Sequence, residues 1–181
     1  MNFVQPIRDF DKVEQMKAYL KRKNRRNYIL FILGISTGLK ISDILKIKKE
    51  DLLKTHLILR ETKTKKQKRI RIPPSVRNEL IAYAKDLKGA SYVIKSRQGE
   101  NKAIDRSVAY RILREAAEQV NITEIGTHTL RKTFGYHFYK QTKDVAMLQE
   151  IFNHASPDIT LRYIGINNQD NMDSAMMKFK I

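Results

Sequence analysis

A mainly α-helical domain with a small antiparallel β-sheet (α+β) is the fold this sequence predicts, on three observations. Apolar residues recur at helical spacing through most of the chain. Two basic runs joined by a polar turn read as a pair of strands. The 181 residues are 41% hydrophobic, enough for a core in one domain, with no internal repeat, long linker or low-complexity tail.

Taken in order, residues 11–24 place Val13, Met16, Tyr19 and Leu20 on one helical face and end in the basic cluster Lys21-Arg22-Lys23 with Arg25-Arg26. The run "YILFILGI", 28–35, reads as a buried helix. Thr37-Gly38 breaks it, and Ser42 with Asp43 is expected to start a short helix over 42–47. "HLILRE", 56–61, and "KRIRIP", 68–73, predict a hairpin whose turn is "TKTKKQ". Pro73-Pro74-Ser75 opens a helix carrying Val76, Leu80, Ile81, Ala84 and Leu87. "SYVI", 91–94, predicts a third short strand. Asp105 is an expected N-cap for a helix with Val108, Ile112, Leu113, Ala116 and Val120 on its apolar face. Helices then follow over 129–141, over 144–152, from Ser156-Pro157, and over 169–179, the last with Met172, Met176 and Met177 as a soft apolar face.

Charge points to a partner. Lys plus Arg is 36 against 19 for Asp plus Glu, a net +17. A small domain needs a net charge of only about 2–8 for solubility. A polyanion explains the excess, and nucleic acid is the first candidate. An anionic membrane fits less well, because no segment pairs a basic face with an aromatic one. The longest apolar run falls far short of the ~20 residues that span a bilayer. The beginning, "MNFVQPIRDFDK", has acidic residues and no apolar stretch of the signal-peptide kind. There is no cysteine, so disulfides and thiolate metal sites are out, which suits a cytoplasmic location.

Several residues could act on a phosphodiester. His128 and Arg131 in "THTLRKTF" are three apart, so on a helix both reach one anion. His154 in "IFNHASPDI" precedes the Ser156-Pro157 helix start, where an imidazole can donate to a phosphate oxygen beside a helix N-terminus. Tyr163 follows nine residues later. The hairpin turn carries Lys63, Lys65 and Lys66, with Lys68 and Arg69 just beyond. Each has a plainer reading alone: a structural histidine, a solvated arginine, a half-buried core tyrosine, a solvated turn. Neither His-Glu-x-x-His nor a carboxylate cluster at ligand spacing occurs, so no metal site is expected. Gly-x-Ser-x-Gly and a Walker-type loop are also missing, so neither a serine hydrolase nor ATP use is indicated, and no cofactor is expected.

The combination of "STGLKISDIL", a basic hairpin, "THTLRKTFGYHFY" and "IFNHASPDITLRYI" resembles the catalytic domain of the tyrosine recombinase (phage integrase) family. The family pattern is Thr-Gly-Leu-Arg-Ile-Ser-Glu, a hairpin lysine, His-x-x-Arg, then Gly-His-x-Ser followed by a Tyr. The pieces occur here in that order over about 31–163. The resemblance implies that Tyr163 attacks a scissile DNA phosphate to form a 3′-phosphotyrosyl ester. It implies that Arg131 holds the non-bridging oxygens, that His128 positions the phosphate and moves protons, and that His154 donates to it. It makes a hairpin lysine, Lys63 in preference to Lys65, the general acid. Lys65, Lys66, Lys68, Arg69 and Lys132 become DNA contacts, although Lys132 also has a plain surface reading. Double-stranded DNA is the implied substrate, with self-association into a synapse on DNA, in the bacterial cytosol or from a phage or mobile element.

Two departures stand out. Lys40 occupies the place of the family's first arginine, and a flexible ammonium does not replace a planar guanidinium fork. Weakened cleavage, or a lysine tolerated because neighbours compensate, is the corresponding expectation, with a non-catalytic DNA-binding paralogue as the alternative. The second is length: residues 1–181 are expected to form a single catalytic domain without the family's N-terminal helical clamp.

Overall fold

Asp9 caps the first helix, α1 (Phe10–Lys23), accepting from the Asp11 amide at 2.9 Å, and Val13, Met16 and Leu20 turn inward. The computed structural model describes residues 4–60 and 67–180. Asn24 ends α1 and caps α2 (Arg25–Thr37) through its side chain. Residues Ile29, Leu30, Phe31, Ile32 and Leu33 of α2 are fully buried, which is why that run shows no helical periodicity. Gly38, at φ +64°, stops the helix in the left-handed region that glycine adopts without cost.

The next helix, α3 (Ile41–Ile44), begins one residue earlier than Ser42 and is shorter than expected. Lys40 therefore holds the N-cap position, with no side-chain bond to the helix end. After α4 (Lys49–Leu52), strands β1 (His56–Arg60) and β2 (Gln67–Arg71) pair antiparallel, with Leu57 opposite Ile70 and Leu59 opposite Lys68. The expected third strand at 91–94 does not form. Tyr92 bridges only Lys48, and Lys95 bridges only Ala103. Two different segments partner this stretch, so neither ladder grows beyond one pair.

The helical predictions hold beyond this point. They are α5 (Pro74–Asp86), α6 (Arg106–Glu118), α7 (Thr129–Thr142), α8 (Val145–Phe152), α9 (Pro157–Tyr163) and α10 (Asn168–Lys178). Asp105 accepts from the Val108 amide at 2.9 Å, Asp144 from Met147 at 2.8 Å and Ser156 from Ile159 at 3.3 Å. Each cap satisfies an amide that the helix start leaves open.

Two hydrophobic clusters result. The main one joins α1 to α6, β1 and Leu130 of α7. The smaller one gathers Tyr139, Leu148, Phe152, Leu161 and Ile164, with Phe134 and Tyr163 packed on it. Helix α7 contributes to both. Gly34 of α2 lets it approach closely, since a Cβ there would overlap Leu130. An N-terminal strap crosses the same helix: Ile7 N–H donates to Thr133 Oγ1, His137 Nε2 donates to the Ile7 carbonyl, and Arg8 Nη2 donates to the Gly165 carbonyl, each at 2.9 Å. The methionine face of α10 is not packed: Met172, Met176 and Met177 are exposed.

Candidate active site

Three elements bring the sequence-predicted residues together. The start of α7 supplies His128 at its N-cap, Arg131 and Lys132; the α8–α9 turn supplies His154; the end of α9 supplies Tyr163. The Tyr163 hydroxyl lies 3.2 Å from His128 Nδ1. Its ring meets the edges of Phe152 at 5.5 Å and His154 at 5.0 Å between centroids. Half-buried, the phenol is held in place by packing on one side and a hydrogen bond on the other.

Arg131 is 6% exposed, and a guanidinium so buried needs partners. It donates to the Gly38 carbonyl at 2.6 Å and the Phe152 carbonyl at 2.9 Å, and its Cζ lies 4.2 Å over the Phe152 ring. Those carbonyls belong to the turn after α2 and the last residue of α8. Arg131 thereby ties the break that launches Lys40 to the turn that presents His154. Asn153, at φ +54°, ends α8, and the His154 amide donates to the Gln149 carbonyl at 3.1 Å. His154 Nδ1 lies 3.0 Å from Thr160 Oγ1, which itself donates to the Ser156 carbonyl at 3.2 Å. The hydroxyl proton being so used, His154 bonds through Nδ1–H, and Nε2 remains the ring's other polar atom.

The electrostatics are those of rings surrounded by cations. Burial pulls His128 below the ordinary histidine range, and Arg131, Lys132 and Lys40 pull it further. His154 is lowered by burial, then by Arg131, Lys40 and Lys68. Burial pushes the Tyr163 phenol up, while the neighbouring Arg131 guanidinium acts in the opposite direction. Both imidazoles are therefore neutral at pH 7, and the phenol keeps its proton while the pocket holds no anion.

Lys40 is exposed, and it faces a groove of about 620 Å³ that it shares with Ser42, Arg106, Tyr110 and His128. Lys63, Lys65 and Lys66 lie outside the described residues. Lys68 does not point outward with the hairpin surface: its ammonium donates to the Ile151 carbonyl in the last turn of α8. Arg69, on the opposite strand face, meets His56 Nδ1 at 3.3 Å. The surface reading of Lys132 is overturned: the residue is 7% exposed, and its ammonium lies 5.0 Å from the Tyr163 ring centroid. Two signals in the sequence carry these placements. Lys132 is four residues after His128, hence on the same helical face, and Lys68 shares strand parity with the inward-facing Ile70. Among the described residues, no three His, Cys, Asp or Glu side chains gather as metal ligands would.

Tyr163, a buried arginine and two histidines thus lie within reach of one another. The phage integrase family model covers residues 8–170. The chain belongs to that family, the tyrosine recombinases. It is 54% identical over 168 residues to "Probable integrase/recombinase YoeC" of Bacillus subtilis (strain 168), covering 92% of each chain. Curated Xer recombinases also match, and this chain spans 54% to 61% of the length of those from Pyrococcus furiosus, Thermococcus kodakarensis and Staphylococcus aureus. Among solved structures, the XerA recombinase superposes with a TM-score of 0.78 at 19% identity, covering 98% of this chain and 67% of that one. The XerH recombinase in its post-cleavage complex with difH superposes with a TM-score of 0.75 at 16% identity, covering 96% and 53%. At such identities these two likenesses establish the fold, that of recombinase catalytic domains.

Proposed function

We propose that this domain cleaves and rejoins duplex DNA as a site-specific recombinase, through a covalent bond between Tyr163 and a 3′-phosphate. The observation that carries the reading is the Tyr163 hydroxyl set against His128 Nδ1 beside the anchored guanidinium of Arg131. A free phenol has a pKa of about 10 and attacks poorly at neutral pH unless a base and cations help it. A neutral His128 takes the phenol proton as the oxygen attacks phosphorus. Arg131 then stabilises the charge on the non-bridging oxygens, and its bonds to two carbonyls mean that little reorganisation is needed.

His154 serves the same phosphate. With Nδ1–H committed to Thr160, it donates from Nε2 only as an imidazolium. Burial and, after it, nearby cations depress its pKa; an arriving phosphate offsets the cations, so proton and substrate bind together. The leaving 5′-oxygen takes its proton from a hairpin lysine, Lys63 in preference to Lys65, while Lys68 supplies positive charge from the strand below. Lys65, Lys66 and Arg69 bind the backbone, as the net charge of +17 supports. The covalent ester conserves the bond energy, so rejoining needs neither ATP nor a metal. Protomers assemble on paired sites in the cytosol, and the XerH complex on difH is a precedent for a relative on DNA.

Incubation with a nicked suicide duplex tests this directly. A covalent protein–DNA adduct that persists in EDTA and disappears in Tyr163→Phe is the expected result. No adduct at any salt concentration, or cleavage abolished by EDTA, refutes the reading.

A further inference from the structure

Lys132 is the one buried lysine among the described residues, and nothing in the reaction scheme above uses it. Its ammonium sits 5.0 Å from the centre of the Tyr163 ring. The other sides of that ring are occupied: Phe152, His154 and His128 each present T-shaped contacts at centroid distances of 5.5, 5.0 and 6.3 Å. The phenol is thus caged by three rings, with a cation over its π face.

We propose that Lys132 is a positioning residue for the nucleophile, holding the Tyr163 ring by a cation–π contact and stabilising the phenolate that forms during attack. This role rests on Tyr163 being the nucleophile. The physics is that of a fixed charge beside a group that changes charge. A cation over a neutral phenol gains the modest quadrupole attraction. When the hydroxyl proton leaves, the ring becomes an anion, and the same cation at the same distance gains a full Coulomb interaction. The stabilisation is larger in the attacking state than in the resting one, as an accelerating contact requires. Burial opposes it by raising the phenol pKa, and it also lowers the pKa of Lys132 itself, so the ammonium is lost earlier than usual in alkali.

The charged and titratable groups facing Tyr163 come from every element around it: His128, Arg131 and Lys132 from α7, and His154 from the α8–α9 turn. Lys40 and Lys68 act through the two histidines. Lys132 lies over the ring face rather than at the hydroxyl, which makes it separable by mutation from His128.

The experiment needs no DNA in its first arm. Protein labelled with ¹³C at tyrosine Cζ is titrated by NMR, with Tyr163→Phe identifying the resonance. In Lys132→Met, which keeps length and bulk but loses the charge, Tyr163 is expected to titrate about one pH unit higher than in the parent protein. Lys132→Arg, which keeps the charge, should stay near the parent value and keeps the proposal testable if the methionine variant unfolds. The second arm measures adduct formation on the suicide duplex at neutral pH. Lys132→Met should be slower by about tenfold, and Lys132→Arg should stay near the parent rate. A residue that only fills space would be replaced better by methionine than by the larger arginine. An unmoved Tyr163 titration in Lys132→Met, or equal slowing in the two variants, overturns the proposal. A shifted titration with no adduct in the parent protein supports the Lys132 contact and refutes the cleavage reading instead.

Discussion

Leu30, Phe31, Ile32 and Leu33 vanish into the main core, which α1, α2, α5 and α6 wrap from several sides. The C-terminal cluster is built differently: Tyr139, Leu148, Phe152, Leu161 and Ile164 hold together three helices, two of them short. Tyr163 and His154 belong to the small cluster, whereas Lys40 and the hairpin belong to the large one. Arg131 spans the divide, with one bond to Gly38 and one to Phe152. Helix α7 joins the two clusters covalently, and the Arg131 guanidinium adds a polar tie between the turn after α2 and the end of α8.

Removing that guanidinium should break the comparison most severely. Arg131→Ala is expected to lower adduct formation by at least roughly a hundred- to thousandfold. It should also reduce thermal stability by about 2–3 kcal/mol, because two buried carbonyls lose a charged donor. Full stability with lost activity would mean that the two halves need no tie.

Lys40→Arg probes the large-cluster side. The side chain is exposed, so stability should not change, while a guanidinium fork at this seat should raise the adduct rate by about tenfold. An unchanged rate in a suicide-duplex assay would show that neighbouring groups already supply what the ammonium does not.

Gly135→Ala separates the clusters. A Cβ there would stand 2.6 Å from Ile164 and 2.7 Å from Phe152, both in the small cluster. Overpacking of this kind costs about 1–3 kcal/mol. Hydrogen exchange should accelerate in α8 and α9 first, with α2 protection little altered. Gly34→Ala, which presses on Leu130, should loosen the α2 side instead.

The smallest effect is with pH. His128 and His154 are held below the ordinary histidine value of about 6.5. Above that value both native and unfolded states carry neutral rings and their contribution to stability is intact. Below it the unfolded chain takes up protons first, and the contribution is lost as pH falls through the depressed native values. A melting temperature that drops from pH 7 to pH 5, with less of a drop in His154→Asn, is the expected outcome. An identical drop in that variant would assign the acid sensitivity elsewhere.

Local signals were legible wherever one residue type does one job. Asp105, Asp144 and Ser156 announced helix starts because short polar side chains satisfy open amides there. His128, Arg131, His154 and Tyr163 were legible as an ordered motif, and the fold brings them close together in space. What stayed hidden depends on tertiary packing. The third strand failed because its partners are two segments far apart in the chain. Lys132 reads as a DNA contact or a surface lysine because burial is decided by what α9 places over it. Nothing local marks the Gly38 and Phe152 carbonyls as anchors, since every residue has one.

The strap at residues 7 and 8 has a mechanical consequence. Arg8 grips the carbonyl of Gly165, two residues past the tyrosine, while Ile7 is pinned to Thr133 and His137 two and six residues past Arg131. One short segment is therefore stitched to the helix that carries the guanidinium and to the end of the helix that carries the phenol. The order of the chain's first described residues is thereby coupled to the spacing between Arg131 and Tyr163.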